Sequence, residues 1–224
     1  MVSTRTIVNP DDVRRVDAAI AAAESATDAE IVVAVVERAG SHRHAPLVGG
    51  IVGALFAVAA QVAVRATAEG IVARIFDVSL LDVGGLAIAG FAIGAWATRR
   101  IPALERFFAG DAALYEECDE KAAQLYAEHE VWRTRARHGV MVCVALHERM
   151  VVIRADEAVE TRVGEAALAA VADAVGDALV AGPVPDALIV AAERLGAVLS
   201  PAFPKTASDL NELPNHLLVI PAPT

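Results

Sequence analysis

The sequence predicts one α/β domain whose chain is interrupted by a two-helix transmembrane hairpin. Three observations predict it: an uncharged run at residues 45–64, a second apolar run at 78–98, and helix and strand patterns on both sides. Those patterns make a hydrophobic core only together, because one lone helix and strand cannot bury their faces. Composition agrees. Of the 224 residues 56% are hydrophobic and 21% charged, and with a mean hydropathy of +0.48 part of the chain has to leave water. Aromatics at 4% argue against a base-stacking binder, and a net charge of -10 has the wrong sign for a phosphate backbone, so nucleic acid is not an expected partner. Cys118 and Cys143 are too few for a disulfide framework or a zinc site.

The chain opens with a helix over residues 9–26. Pro10, Asp11 and Asp12 start it, acids favour its N-terminus, and Val13, Val16 and Ile20 recur at helical spacing. After Thr27-Asp28-Ala29-Glu30, the short β-branched run 31–36 (Ile-Val-Val-Ala-Val-Val) predicts a buried strand.

The run 45–64 is just long enough to cross a hydrocarbon core. It carries Leu47, Ile51, Leu55, Phe56 and several valines, each worth about -0.4 kcal/mol on insertion, against one off-centre Gln61. Pro46 sits at the entrance, where a proline costs a helix least. The second run, 78–98, is interrupted near its start by Asp82, which a headgroup region accommodates. Trp96 marks the opposite interface and Arg99-Arg100 stop the span. A buried helix of a soluble core is the other reading of this second run. Gly49 and Gly53, and Gly90 and Gly94, are spaced four apart, which permits close backbone contact between two spans, although alanine- and glycine-rich helices also hold such spacings by chance. Neither run is placed as a signal peptide. Arg38, Arg43, Arg99, Arg100 and Arg106 flank the pair, whereas the loop holds only Arg65 and Arg74. This asymmetry puts both flanks in the cytoplasm, where the cysteines stay reduced.

Beyond the spans, residues 111–130 form a long helix with Leu114, Cys118, Leu125 and Tyr126 on its apolar side. Residues 139–146 and 150–154 form two buried strands. Only His147-Glu148-Arg149 separates them, which predicts an antiparallel hairpin. Two alanine-rich helices follow over 161–180 and 185–199, then a proline-rich, loop-like tail from 201 to 224. The expected organisation is a first domain part (1–44), the hairpin (45–98), a second domain part (99–200) and the tail. Strand 31–36 should pair with the strands beyond the insertion.

The stretch Thr27-Asp28-Ala29-Glu30-Ile31-Val32-Val33 resembles the opening of the TPM domain family. The segment 134–142 with Gly139-Val140-Met141-Val142 is similar to that family's second strand, and 148–153 to its paired strand. The inserted hairpin, Phe203-Pro204 and Asn211-Glu212-Leu213-Pro214 resemble a bacterial subgroup of uncharacterised membrane proteins. The resemblance implies an α/β/α sandwich around a small mixed sheet. It also implies, from members in photosynthetic organisms, acid phosphatase activity, photosystem repair or calcium binding. Those members carry a glycine-containing turn after the third strand; here that place reads Ala155-Asp156-Glu157-Ala158-Val159-Glu160.

Two clusters are candidates for chemistry. Asp156, Glu157 and Glu160, with Glu30, have the oxygen ligands for Ca or Mg. They also stand where a helix begins, and there acids serve as cap and dipole partners without any ligand. Arg133, Arg135 and Arg137 would share one face of an extended segment and there bind a phosphate or an anionic headgroup. The plainer reading is a solvated loop. The histidines show no metal-ligand spacing, His42 and His44 are expected to be solvated, and no nucleophile elbow, P-loop or dinucleotide fingerprint occurs. The expected function is therefore a non-enzymatic interaction or assembly module, tethered in a lipid bilayer beside an unknown membrane protein partner. The rival is a divalent-cation-dependent phosphatase.

Overall fold

The computed structural model describes residues 9–42, 44–67, 80–206, 213 and 217–222. Arg43, Arg74, Val78, Asn211, Glu212 and Pro214 fall outside them. The fold is mixed α/β, with a four-stranded mixed sheet and eight α-helices among the described residues. The chain forms two compact units, Met1–Gly40 with Tyr115–Thr224, and Ser41–Leu114.

In the first unit, helix α1 (Pro10–Glu24) begins at a capping box. The Asn9 side chain accepts from the Asp11 and Asp12 amides, and Asp12 accepts from the Asn9 amide. Strand β1 (Glu30–Val36) is buried throughout, as is β2 (Gly139–Ala145), its parallel neighbour. The two halves of the unit thus meet at the centre of the sheet, Ile31 beside Val140 and Val33 beside Val142. The period of two sorts their side chains to two faces. Ile31, Val33, Val35, Val140 and Val142 join one hydrophobic cluster, and Val32, Ala34, Met141 and Cys143 the other. The first cluster is completed by α1 and by helices α7 (Glu165–Ala181) and α8 (Val184–Leu199); the second by α5 (Asp111–Glu128) through Cys118, Ala122 and Leu125.

Strand β3 (Met150–Ala155) pairs antiparallel with β2. Contrary to the sequence expectation it is not a buried strand: it lies at the sheet edge, with only Val152 fully covered. The tail is corrected as well, because β4 (Leu218–Ile220) pairs parallel with β1 at the other edge. Three residues bounded by Pro221 carry too little pattern to announce a strand. The helix expected over 161–180 begins earlier and is two helices, α6 (Glu157–Val163) and α7, broken where Gly164 adopts φ +84°.

The second unit holds α2 (Ala45–Thr67), α3 (Leu80–Arg100) and α4 (Pro102–Ala109). Helices α2 and α3 pack antiparallel at their glycines, Gly49 opposite Gly94 and Gly53 opposite Gly90. A side chain at Gly53 would run into the Gly90 carbonyl. Among the described residues one helix is long and apolar enough to cross a membrane, Ala45–Ala66, whose most apolar 18-residue stretch has a mean hydropathy of 2.2 and is 11% buried. His42 is buried rather than solvated, whereas His44 is exposed and places Nε2 3.2 Å from the Ala109 carbonyl.

Candidate functional site

Three strands bring chemistry-bearing residues to one end of the sheet. Glu30 opens β1 opposite Gly139, the first residue of β2. Asp156 follows β3 and donates its amide to the Gly139 carbonyl at 2.9 Å. Glu30 and Asp156 thus flank the same glycine, and both are nearly closed to solvent, at 6% and 8% exposure. Gly139 itself is required there, because a Cβ would meet the Val131 carbonyl.

Each carboxylate is already engaged. Asp156 Oδ2 accepts from the Gly139 amide at 3.0 Å, and Oδ1 accepts from the Tyr126 hydroxyl at 2.8 Å. Asp156 occupies the N-cap position of α6, yet its side chain makes no capping bond to that helix and reaches back to the sheet instead. Only Glu157 and Glu160, exposed in the first turn of α6, sit as dipole partners. Glu30 accepts from the Leu213 amide at 3.3 Å, and the neighbouring Glu24, also buried, accepts from the Ile31 amide at 2.8 Å. Among the described residues no three His, Cys, Asp or Glu side chains converge to hold a metal ion.

Three of the stretches quoted for the resemblance, at Thr27–Ala29, His138 and Phe203, meet at this end. The buried Thr27 hydroxyl donates to the Phe203 carbonyl at 2.7 Å and accepts from the Ala29 amide. The Asp28 amide donates to the same carbonyl, and Asp28 Oδ1 accepts from Thr206. The Phe203 ring stacks obliquely on His138, centroids 4.1 Å apart. These letters therefore hold the C-terminal stretch against the start of β1, a structural use.

The stretch that carries the arginine trio turns instead of running extended, which removes the condition on which a shared face rested. Residues 131–133 form a 3-10 turn, the Thr134 carbonyl accepts from the Arg137 amide, and Arg137 lies at φ +56°. The buried Thr134 side chain accepts from His138 and holds this turn. Arg133 pairs with Glu130 at 2.8 Å, and Arg137 lies over the Trp132 ring at 5.5 Å.

Two groups escaped the sequence reading. Tyr126 counted as part of an apolar helix face, but its hydroxyl is the partner of Asp156; a polar tip on an otherwise apolar stripe was the available signal. Burial, and then the Asp156 carboxylate, hold this phenol above its usual range. At the opposite end of the sheet Glu148, buried in the β2–β3 turn, accepts from the Ala39 and Gly40 amides at 3.1 and 3.4 Å. The thiols are poor nucleophiles: burial pushes Cys143 up to about 12 and raises Cys118 further.

No protein-family model matches the chain, and no curated protein matches it. Among solved structures it is similar to the NMR structure of the BA42 protein from the psychrophilic bacterium Bizionia argentinensis. The TM-score is 0.55 over 95% of this chain and 94% of that one, at 16% sequence identity. At that identity the likeness shows the fold alone, a mixed α/β arrangement shared across nearly the whole chain.

Proposed function

We propose that this chain is a membrane-anchored, TPM-like α/β/α domain, split by a two-helix hairpin in a bacterial inner membrane. There it serves as a non-enzymatic interaction or assembly module. The observation that carries the reading is α2, a helix with a stretch of mean hydropathy 2.2, most of its large apolar side chains exposed, that lies in the sequence between two halves of one sheet. Large apolar side chains left in water cost about 1.5–3 kcal/mol each relative to burial, which a bilayer removes. The close glycine contacts of α3 with α2 support a second span beside the first. Both thiols being buried and neutral, and Asp156 being tied to Gly139 and Tyr126, support a binding rather than a catalytic role.

Membrane fractionation and cysteine accessibility test the anchor. Cysteines placed in residues 66–77 should label from outside, and a Glu160→Cys probe should not. The opposite pattern inverts the topology, and a protein found wholly in the soluble fraction sinks the anchor. Reproducible co-purification of a membrane partner tests the module. The phosphatase reading has one geometric point in its favour, the coincidence of Glu30 and Asp156 at one sheet end. Aryl-phosphate turnover lost on Asp156→Asn in a folded protein would revive it.

A further inference from the structure

We infer that the open edge of β3 binds an extended, basic segment of a partner protein as an added strand. This rests on the module reading above and gives it a surface and a partner chemistry. Strand β3 is the edge of the sheet, and among the described residues no strand covers its outer side. The Asp156–Gly139 hydrogen bond fixes which groups point there. In an antiparallel ladder bonded pairs alternate, so Arg154 and Val152 turn their backbone groups to β2, while Val151 and Ile153 turn theirs outward.

Edges of this kind are normally blunted by lysine, proline or a bulge. Here the residues whose backbone groups turn outward are valine and isoleucine, their side chains half-buried against the first hydrophobic cluster, and a groove of about 740 Å³ runs along them. One wall is α5, through Tyr115 and through Asp119, which is ion-paired to Arg154. The other wall is α6 and α7, where Glu160, Glu165 and Asp173 are exposed around the small Ala169. An added strand presents alternate side chains to the two walls. Basic residues would face the acidic α7 wall, and apolar ones Tyr115. Charge also decides against a second copy of this chain: edge-to-edge pairing would set one acidic rim against another, in a chain of net charge -10.

The test uses the full chain in non-ionic detergent and a fluorescent peptide of about eight residues alternating lysine with valine, long enough to span an edge strand. Anisotropy should show binding that weakens about tenfold or more in three cases: lysine replaced by glutamate in the peptide, salt raised to about 0.5 M, and the Glu165→Lys/Asp173→Lys variant. Ile153→Pro removes an outward amide without breaking a β2 bond and should weaken binding similarly. Amide exchange at Val151 and Ile153 should slow with peptide bound. Equal binding of the glutamate peptide, or no protection at these amides, overturns the assignment; so does a dimer of the chain that the peptide does not dissolve. A natural partner that co-purifies equally with the charge-reversed variant removes the groove but keeps the module. The lack of any co-purifying partner, with peptide binding intact, removes the module alone.

Discussion

In the α/β unit few large apolar side chains reach the surface, Tyr115, Trp132 and Val180 among them; in Ser41–Leu114 they line much of it. Val33 and Val35 on β1 are 0% exposed, whereas Leu55 and Phe56 on α2 are 65% and 75% exposed. Chemically these residues are alike. What differs is the length and period of the run that holds them. Six apolar residues in β1 form a strand that must be covered on both faces, and α5 and α8 cover it. Sixteen in the 23-residue α2 make a helix apolar nearly all round, and the sides turned away from α3 stay exposed. The proposed membrane anchor reads this difference as one sequence written for two solvents.

The sharpest way to break that contrast is to charge each run in turn. Ile51→Arg with Leu55→Arg places two arginines near the middle of α2, at about 2.5–3.5 kcal/mol each on insertion. That exceeds what the remaining apolar residues supply, so the variant should leave the membrane fraction on alkaline carbonate extraction. Val33→Arg should do the reverse: the α/β unit unfolds, read as faster proteolysis, while the chain stays in the membrane fraction. If the double arginine variant remains embedded, α2 does not face lipid.

A second, smaller effect separates the units by pH. Cys118, Tyr126 and Cys143 belong to the α/β unit, and burial raises all three, Cys143 from an ordinary 9.0 to about 12. A group whose folded pKa is raised contributes stability that is fully present below its unfolded pKa. That contribution is lost as pH rises through the folded value. Unfolding midpoints of the α/β unit should therefore hold level to about pH 9 and fall towards pH 12. Cys143→Ala should shallow the fall. Midpoints independent of pH across that window would mean the thiols and the phenol reach solvent.

Much of the fold was legible because its signals are local. The β1, β2 and α2 runs declare themselves by length and composition, and the pairing of β1 with β2 followed from two fragments that cannot fold apart. What was not legible depends on contacts between distant residues. Strand β4 is three residues long and exists because β1 offers a free edge. The order β3-β2-β1-β4, which among the described residues leaves β3 an edge strand, is not written in the β3 sequence at all. The break at Gly164 was readable as a glycine but sits amid alanines that outvote it. At the candidate site, sequence spacing placed Asp156 at the head of a helix, and the helix is there. It did not show that the carboxylate turns away from that helix to Gly139 and Tyr126.

Asp156 therefore supplies the finest test, on the sheet end alone. Asp156→Ala leaves the Gly139 amide and the Tyr126 hydroxyl without their partner in a buried place, at about 1–3 kcal/mol for each group. Asp156→Asn keeps the arrangement. Its carbonyl oxygen accepts from the Gly139 amide, and its amide nitrogen donates to the Tyr126 oxygen once that hydroxyl rotates. A structural carboxylate thus predicts a clear loss of stability for alanine and less than about 1 kcal/mol for asparagine, read from denaturant midpoints of the α/β unit at pH 7. A carboxylate retained for its charge predicts otherwise. Asparagine would then be as damaging as alanine, or the wild type alone would gain stability on adding calcium or magnesium. Tyr126→Phe completes the set. It removes one of the two bonds to Asp156 and should cost about half of what alanine at 156 costs, with no further loss when combined with Asp156→Ala.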